Sequence, residues 1–227
     1  MSISNDNFRF LLELKANNNR DWFTKNKLRY DIQHANTIDF AEALLLRLNT
    51  HDVIETPSGK KSLFRIYRDV RFSNDKSPYK NHWSGGFRRA GKERRGGYYF
   101  HLEPGDNNYI AGGFWAPNKE DLQRIREDIA GNPDELRSIL SAPKFVEAFG
   151  ELHGEQLKTA PKGFDKEHPA IDLLRFKQFV ITRRFTDEEV QSEDFVLVAD
   201  DTFQRMRPFL DYMSDVLTTD GNGSPLE

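Results

Sequence analysis

The spacing of hydrophobic positions predicts helices in the first part of the chain. From Phe8 to His51, apolar side chains recur mostly at steps of three or four residues, as in amphipathic helices. The asparagine run 17–19 interrupts this pattern, because asparagine favours helix caps over helix interiors. We therefore predict a short first helix, a restart near Asp21, and one or two helices that end near His51.

In the middle of the chain, apolar and polar positions alternate with a period of two, as in half-buried strands. The clearest alternation runs from Leu63 to Phe72. The connections are short and carry no helical pattern, which indicates an antiparallel meander. Further strands are predicted over 82–87, 98–103, 109–115 and 179–185.

Helical spacing returns after the meander. Asn118 can cap one predicted helix, and Thr186 with Glu189 has the spacing of a capping box. A long amphipathic helix is predicted from Phe195 onwards, with Pro208 inside it.

Together these patterns predict an α+β fold. A central antiparallel sheet (about residues 62–116, with a further strand at 179–185) is covered by N- and C-terminal helices. We expect a single domain over residues 8–217 and a disordered tail over 218–227.

Composition narrows the functional class only slightly. The 227-residue chain is 37% hydrophobic and 30% charged, which is typical of a globular protein. It has no cysteine, so disulfides and thiolate metal sites are excluded and a reducing compartment is favoured. The N-terminal sequence MSISNDNFRF lacks the build of a signal peptide, and no apolar run approaches the about 18 residues of a membrane helix. We expect a cytoplasmic protein without a membrane partner.

Charge is unevenly distributed along the chain. The formal net charge is −3, yet residues 65–95 contain ten Lys or Arg and only three acidic residues. A basic segment in an acidic protein suggests a directed anion site. The alternative is a solvated surface with basic loop tips.

The candidate site residues come mainly from this basic and aromatic segment, since Arg, Lys and aromatic rings suit a planar or anionic ligand. The predicted ligand-binding residues are Arg65, Tyr67, Arg68, Arg71, Lys76, Tyr79, Lys80 and Trp115. The candidates for proton transfer are Asp69, Asp75 and His101.

Arg68 has two interpretations. Strict alternation places it on the apolar face of the predicted strand, where a lone charge would be very costly. It therefore either pairs with an acid such as Asp75, as a structural ion pair, or faces a bound anion.

His82 and His101 lie on two predicted strands, and they would approach one another if those strands pair. Histidine is the natural proton carrier near neutral pH. No spacing typical of a metal site is present, so we predict neither a metal nor a cofactor.

Five segments, in order, carry a family resemblance: NNNRDWFTKNKLRY, FRIYRDVRFSNDKSPYK, GGYYFHLEP, AGGFWAP and LKTAPKGFDKEHP. Together they resemble the family catalogued as Domain of Unknown Function 2461, over about Phe8 to Phe209. The resemblance implies a cytoplasmic protein and supplies no catalytic residues. It implies that the motif residues belong together, many of them around one cleft: Asn18, Arg20, Asp21, Trp22, Arg65, Tyr67, Arg68, Asp69, Arg71, Phe72, Asp75, Lys76, Pro78, Tyr79, Lys80, Gly112, Gly113, Pro161, Lys162 and Gly163.

The leading functional hypothesis is an enzyme or a binding protein for a small anionic molecule that is phosphorylated or nucleotide-like. An alternative is a single-stranded nucleic-acid-binding module, since such modules stack bases on a basic, aromatic sheet face. The overall acidity disfavours that alternative. A structural or partner-binding domain is the third possibility.

Overall fold

The computed structural model describes residues 3–220 and 224–225. Helices precede and follow a four-stranded sheet along the chain. Before the sheet come α1 (Asn5–Ala16), α2 (Arg20–Lys25), α3 (Lys27–Leu48) and α4 (Gly59–Ser62). The later helices are α5 (Lys119–Gly131), α6 (Asp134–Ser141), α7 (Pro143–Phe149), α8 (Ile171–Leu174), α9 (Asp187–Gln191) and α10 (Phe195–Thr218).

The sheet is antiparallel with the strand order β1-β2-β3-β4, which confirms the predicted α+β class. The first three strands form a meander, and the fourth arrives after the helices α5–α8. Their bounds lie within a residue or two of the predicted strands: β1 (Trp83–Arg88), β2 (Gly97–Leu102), β3 (Asn108–Phe114) and β4 (Phe179–Phe185).

The caps of the helices follow the predicted chemistry. The Asn19 side chain accepts a hydrogen bond from the Trp22 backbone and begins α2, directly after the interruption that the asparagine run predicts. Asn118 caps α5 in the same way. Thr186 and Glu189 form the full capping box at the start of α9, with both reciprocal hydrogen bonds present.

The predicted strand from Leu63 to Phe72 is wrong. This stretch makes only isolated bridges, one of which joins Tyr67 to Tyr79, and the sheet begins at β1. The alternation counted Phe72 as a buried position, but its side chain is 95% exposed. Local hydrogen bonds replace a strand ladder: the Asp69 carboxylate, for example, accepts from the Arg71 backbone.

The chain divides into two compact units. The first unit contains the residues up to Phe87 together with Tyr99–Ile110 and Arg184–Asp201. The second unit contains Arg88–Tyr98, Ala111–Arg183 and the described residues from Thr202 onwards. The single domain expected over 8–217 stays a prediction. Of the tail predicted over 218–227, residues 221–223 and 226–227 lie outside the described residues.

Aromatic rings from helix and sheet form the core of the first unit. Phe40 of α3 stacks on Phe195 at a centroid distance of 5.7 Å and meets the edge of Phe100 at 5.5 Å. All three are almost fully buried. The buried side chain of Asn7 donates to the Gln33 carbonyl at 3.0 Å and so joins α1 to α3. Its amide is thereby satisfied within the core.

In the second unit, the two glycines of β3 are required by close packing. A Cβ on Gly113 would lie 2.2 Å from the Phe179 carbonyl oxygen, and a Cβ on Gly112 would lie 2.5 Å from the Met206 sulfur. The backbone φ of Gly113 is 116°, which side-chain-bearing residues rarely adopt. Neighbouring protein atoms therefore occupy the space beside this pair.

Among the described residues, no helix combines the length and the apolar character that crossing a membrane requires.

Candidate functional site

Arg68 and Asp75 close a loop of the first unit, here called the 68–77 loop. The backbone N–H of Arg68 donates to the Pro78 carbonyl at 2.9 Å, which pairs the two ends of the loop. The Arg68 guanidinium donates to the Asp75 carboxylate and, at 3.2 Å, to the Ser77 carbonyl. Hydrogen bonds from Ser77 and then from Arg68 lower the pKa of Asp75 to about 2. Arg68 thus forms the ion pair that was one of its two predicted interpretations.

The other cations of this loop also have partners inside it. The Arg71 guanidinium donates to Asp69 at 2.6 Å, and these hydrogen bonds are the main reason that the pKa of Asp69 is lowered. Both side chains are exposed. The Lys76 ammonium donates to the Val70 carbonyl at 2.9 Å. These three cations therefore stabilise the loop. Asp69 and Asp75 are ionised, and each is already hydrogen-bonded to an arginine.

Tyr79 links the loop to the N-terminal helices. Its ring is buried and stacks on Phe23 at 4.0 Å with an interplanar angle of 13°. The Asn18 amide donates to the Tyr79 carbonyl at 2.9 Å and accepts from its N–H at 3.1 Å. Tyr67 lies against Tyr79 at 5.4 Å and is 53% exposed. Two segments that the family resemblance groups together, around residues 18 and 79, are thus joined directly.

Trp115 belongs to the second unit. It follows the last residue of β3, and its side chain is 72% exposed. An exposed indole can stack on a ligand, although single exposed aromatic residues are also normal on protein surfaces.

A cluster of titratable and aromatic side chains occupies one face of the sheet in the first unit. Tyr99, His101 and Glu103 alternate along β2 and its end, so they share one face. His82 immediately precedes β1, and Tyr109 lies in β3. We call these five residues the histidine face.

The rings of the histidine face are in mutual contact. The centroids of His82 and His101 are 4.1 Å apart, which confirms that these two residues approach when their strands pair. On its other side, His101 stacks on Tyr109 at 4.7 Å with an interplanar angle of 12°. Its Nδ1 lies 3.2 Å from the Tyr99 hydroxyl.

Glu103 ends this polar chain. Its Oε2 lies 3.1 Å from His101 Nε2, while Oε1 accepts a hydrogen bond of 2.7 Å from the Asn81 amide. The Lys15 ammonium is 3.9 Å from the same Oε1. One carboxylate oxygen is therefore anchored by an amide donor, and the other faces the imidazole.

Burial controls the charge of this face. Burial, followed by the charges of His101, Lys80 and Arg68, lowers the pKa of His82 to about 3. Burial also lowers the pKa of His101, which outweighs the opposing effect of Glu103. Burial raises the pKa of Tyr99. At neutral pH the two imidazoles are therefore uncharged and the Tyr99 phenol is protonated.

Lys80 lies beside this face, and Arg65 lies close to Lys80. Lys80 is half-buried, and its ammonium lies over the Phe64 ring at 5.6 Å. Burial, and then the positive charge of Arg65, lowers the pKa of Lys80. Within residues 3–220 and 224–225, neither Lys80 nor Arg65 has a carboxylate within 4.0 Å. Arg65 is exposed and its charge also acts on Asp69, so Lys80 is the half-buried cation of the two that has no acidic partner close by.

The second unit contains a separate basic cavity of about 720 Å³. Its most buried cation is Arg89, which donates to Asp211, to the Leu210 carbonyl at 3.2 Å and to Ser214 at 3.1 Å. Arg95 pairs with Asp121 in the same way. These two guanidinium groups thus already donate hydrogen bonds to acceptors within the protein.

Of the predicted site residues, the fold brings Arg65, Lys80 and His101 into one neighbourhood. It places Arg68, Arg71, Lys76, Asp69 and Asp75 in the 68–77 loop, where they pair with one another or with backbone. Sequence reasoning missed Asn81, Tyr99, Glu103 and Tyr109 as members of the site. The alternation of Tyr99, His101 and Glu103 along β2 is the signal that could have identified the polar face.

Comparison with known proteins gives one match. The sequence profile of the family described as conserved hypothetical protein (DUF2461) matches residues 6–212. No curated protein and no solved structure matches the chain. Since the match covers most of the 227 residues, the chain belongs to the DUF2461 family.

Proposed function

We propose that this protein binds a small anionic molecule, phosphorylated or nucleotide-like, at the histidine face, with Lys80 and Arg65 as its charged contacts. The observation that carries the proposal is the half-buried charge of Lys80, which has no carboxylate within 4.0 Å among the described residues and lies beside Arg65. A half-buried ammonium next to a guanidinium, with no carboxylate within 4.0 Å of either among the described residues, is destabilised by burial and by the neighbouring positive charge. A bound anion would supply the missing counter-charge.

The surroundings supply the other contacts that such a ligand needs. The Tyr99 hydroxyl and the ring nitrogens of His82 can donate or accept hydrogen bonds. Phe64 is 51% exposed and Tyr109 is half-buried, so the exposed parts of their rings can contact a planar group. Few polar groups on a largely apolar and aromatic wall are typical of small-molecule sites.

In this proposal the 68–77 loop stabilises the surroundings of the site, and its cations are not the main contacts of the anion. Its Arg68 and Arg71 are already neutralised by Asp75 and Asp69. A ligand would have to displace those carboxylates, whereas Lys80 and Arg65 require no displacement. We therefore assign the first contact to the unpaired cations.

The test is a calorimetric titration of the full chain with inorganic phosphate and with AMP, in a buffer that contains EDTA. We expect binding that Lys80→Met weakens by about 10- to 100-fold, because one charge-assisted hydrogen bond contributes about 1.5–3 kcal/mol. Methionine keeps the apolar stem over Phe64 and removes only the charge. Lys92→Met, at an exposed lysine of the second unit, is the matched control and should bind like the wild type.

Salt dependence separates this site from a nucleic-acid surface. A surface that neutralises several phosphates of an oligonucleotide loses affinity steeply as salt rises, while a site for one anionic group loses much less. Loss of phosphate binding in Lys92→Met but not in Lys80→Met would overturn the proposal. Binding of oligonucleotides with a steep salt slope, and of neither phosphate nor AMP, would also overturn it.

A further inference from the structure

We propose that His82, His101 and Glu103 form a binding site for a divalent first-row transition-metal ion. One ligand atom from each of these side chains lies within 4.8 Å of the other two. All three belong to the first unit, where the pairing of β1 with β2 brings them together. Linear spacing gives no sign of this site, because His82 lies just before β1 and His101 lies in β2.

The separation of the ligand atoms suits a shared ion. Two ligand atoms that bind one tetrahedral zinc ion at about 2.1 Å lie about 3.4 Å apart. His101 Nε2 and Glu103 Oε2 are 3.1 Å apart, so an ion could enter between them with little movement. The three ligand atoms lie within 4.8 Å of one another. The two most distant atoms would therefore have to approach by about 1.4 Å, which a side-chain rotation can achieve.

In Glu103 and in His101, the polar atom that would not bind the ion already has a hydrogen-bond partner. Asn81 donates to Glu103 Oε1, which leaves Oε2 directed at His101. The Tyr99 hydroxyl lies 3.2 Å from His101 Nδ1 and can accept its proton when Nε2 is bound to a metal. Partners of this kind orient metal ligands and fix the histidine tautomer. A hydrogen-bonded chain of Tyr99, His101 and Glu103 alone does not require a second histidine, yet His82 lies beside His101.

The donor set indicates the class of ion. Two imidazoles and one carboxylate suit zinc, iron, manganese or cobalt, while Mg²⁺ and Ca²⁺ prefer oxygen ligands. Three protein ligands leave at least one coordination position open, as catalytic sites of this composition do. The positive charges of Lys80 and Arg68 act on His82 and oppose the ion, and the Glu103 carboxylate offsets part of that repulsion.

The open position points to a role for the ion in the function proposed above. An anion held by Lys80 could also reach the ion, so the two sites would reinforce one another. The metal site itself does not rest on the anion proposal, since its ligands and their geometry are separate from Lys80 and Arg65.

The experiment titrates zinc chloride into the full chain after removal of metals with EDTA and dialysis. Isothermal calorimetry should give one ion per chain, and bound Co²⁺ should show the visible absorption of a site with histidine ligands. We expect His82→Asn and Glu103→Gln each to weaken zinc binding by at least tenfold. His153→Asn, at an exposed histidine of the second unit, should bind zinc like the wild type.

A positioning variant strengthens the test. Asn81→Ala removes the donor to Glu103 without touching a metal ligand atom, and it should weaken zinc binding by about 10- to 100-fold. Each variant is checked for cooperative thermal unfolding. His82 is only half-buried, so His82→Asn decides the question even if changes at the buried His101 prevent folding.

Two results would overturn the metal site. One is that the folded wild type binds neither zinc nor cobalt. The other is that His82→Asn binds zinc as tightly as the wild type does. Because this titration contains chloride only and the phosphate titration contains EDTA, failure of one proposal leaves the other standing.

Discussion

The ring centroids of His82 and His101 lie 4.1 Å apart, with their planes inclined at 32°. Both imidazoles are kept uncharged at neutral pH by burial. Polar rings in this position cost desolvation energy that apolar side chains would not cost. Departures from the ordinary rules of core composition are most often found at functional sites. This pair is therefore the centre of the site that we assign.

Lys80 leads to a prediction about stability. Because its ammonium is half-buried, beside Arg65 and without a carboxylate partner among the described residues, its charge destabilises the folded protein. Lys80→Met should raise the thermal unfolding midpoint while it weakens phosphate binding, a trade-off typical of binding sites. Lys92→Met should leave both quantities unchanged. A lower midpoint in Lys80→Met would contradict this view and indicate a stabilising partner for the ammonium.

Asn18 should be essential for the attachment of the 68–77 loop. Asn18→Ala removes both hydrogen bonds to the backbone of Tyr79, and we expect it to lower the free energy of unfolding by about 1–3 kcal/mol. Urea denaturation measures the change. Asn74→Ala, at an exposed asparagine of the same loop, should stay within about 0.5 kcal/mol of the wild type. Equal stability of the two variants would show that the amide bridge is not important.

Much of the fold could be predicted from the sequence, because local signals and tertiary structure agree there. The asparagine run, the cap at Asn118 and the capping box at Thr186 all mark real helix starts. Strands β1, β2 and β3 lie within one or two residues of the predicted strands, and the connections between them contain no helix. In each of these places a short stretch of residues is sufficient to decide the structure.

The strand predicted from Leu63 to Phe72 does not form, for a physical reason. Its alternation is that of a strand, but Asp69 and Asp75 bind nearby backbone N–H groups and favour turns. The partners of the site, such as Asn81 and Glu103, become visible only when the strands are paired. Which carboxylate neutralises which arginine is likewise decided by loop geometry and not by composition.

Gly113 provides a test of the second unit. Gly113→Ala places a methyl group 2.2 Å from the Phe179 carbonyl oxygen at a φ of 116°, so we expect a loss of about 3 kcal/mol or more in unfolding free energy. Gly131→Ala is the control, since among the described residues no atom lies within 4 Å of the added Cβ. It should be neutral or stabilise by up to about 1 kcal/mol. Comparable values for the two variants would contradict the packing of β3 against β4.

His34 gives a prediction about acid stability. Burial lowers its pKa from 6.5; Asp31 acts in the opposite direction, while Lys60 and Lys27 add to the lowering. Its ring also stacks on Tyr30 at 5.3 Å. The folded protein therefore binds a proton at His34 less readily than the unfolded chain does, so acidification below about pH 6.5 reduces stability.

We expect His34→Gln to lose less stability than the wild type between about pH 7 and pH 5, where the unfolded histidine takes up its proton. Urea midpoints across this range measure the difference. The exposed His153 supplies the control, and His153→Gln should follow the wild-type curve. If His34→Gln followed it too, the pKa of His34 would not be lowered in the folded protein.

Binding of a small anion at the histidine face can be observed by an NMR titration of the full chain with inorganic phosphate. We expect the chemical-shift changes to concentrate on Lys80, Arg65 and the ring signals of His82 and His101, and Lys80→Met to abolish them at the same phosphate concentration. If the changes were confined to the basic cavity around Arg89, or absent in the folded wild type, the anion site would not lie at the histidine face.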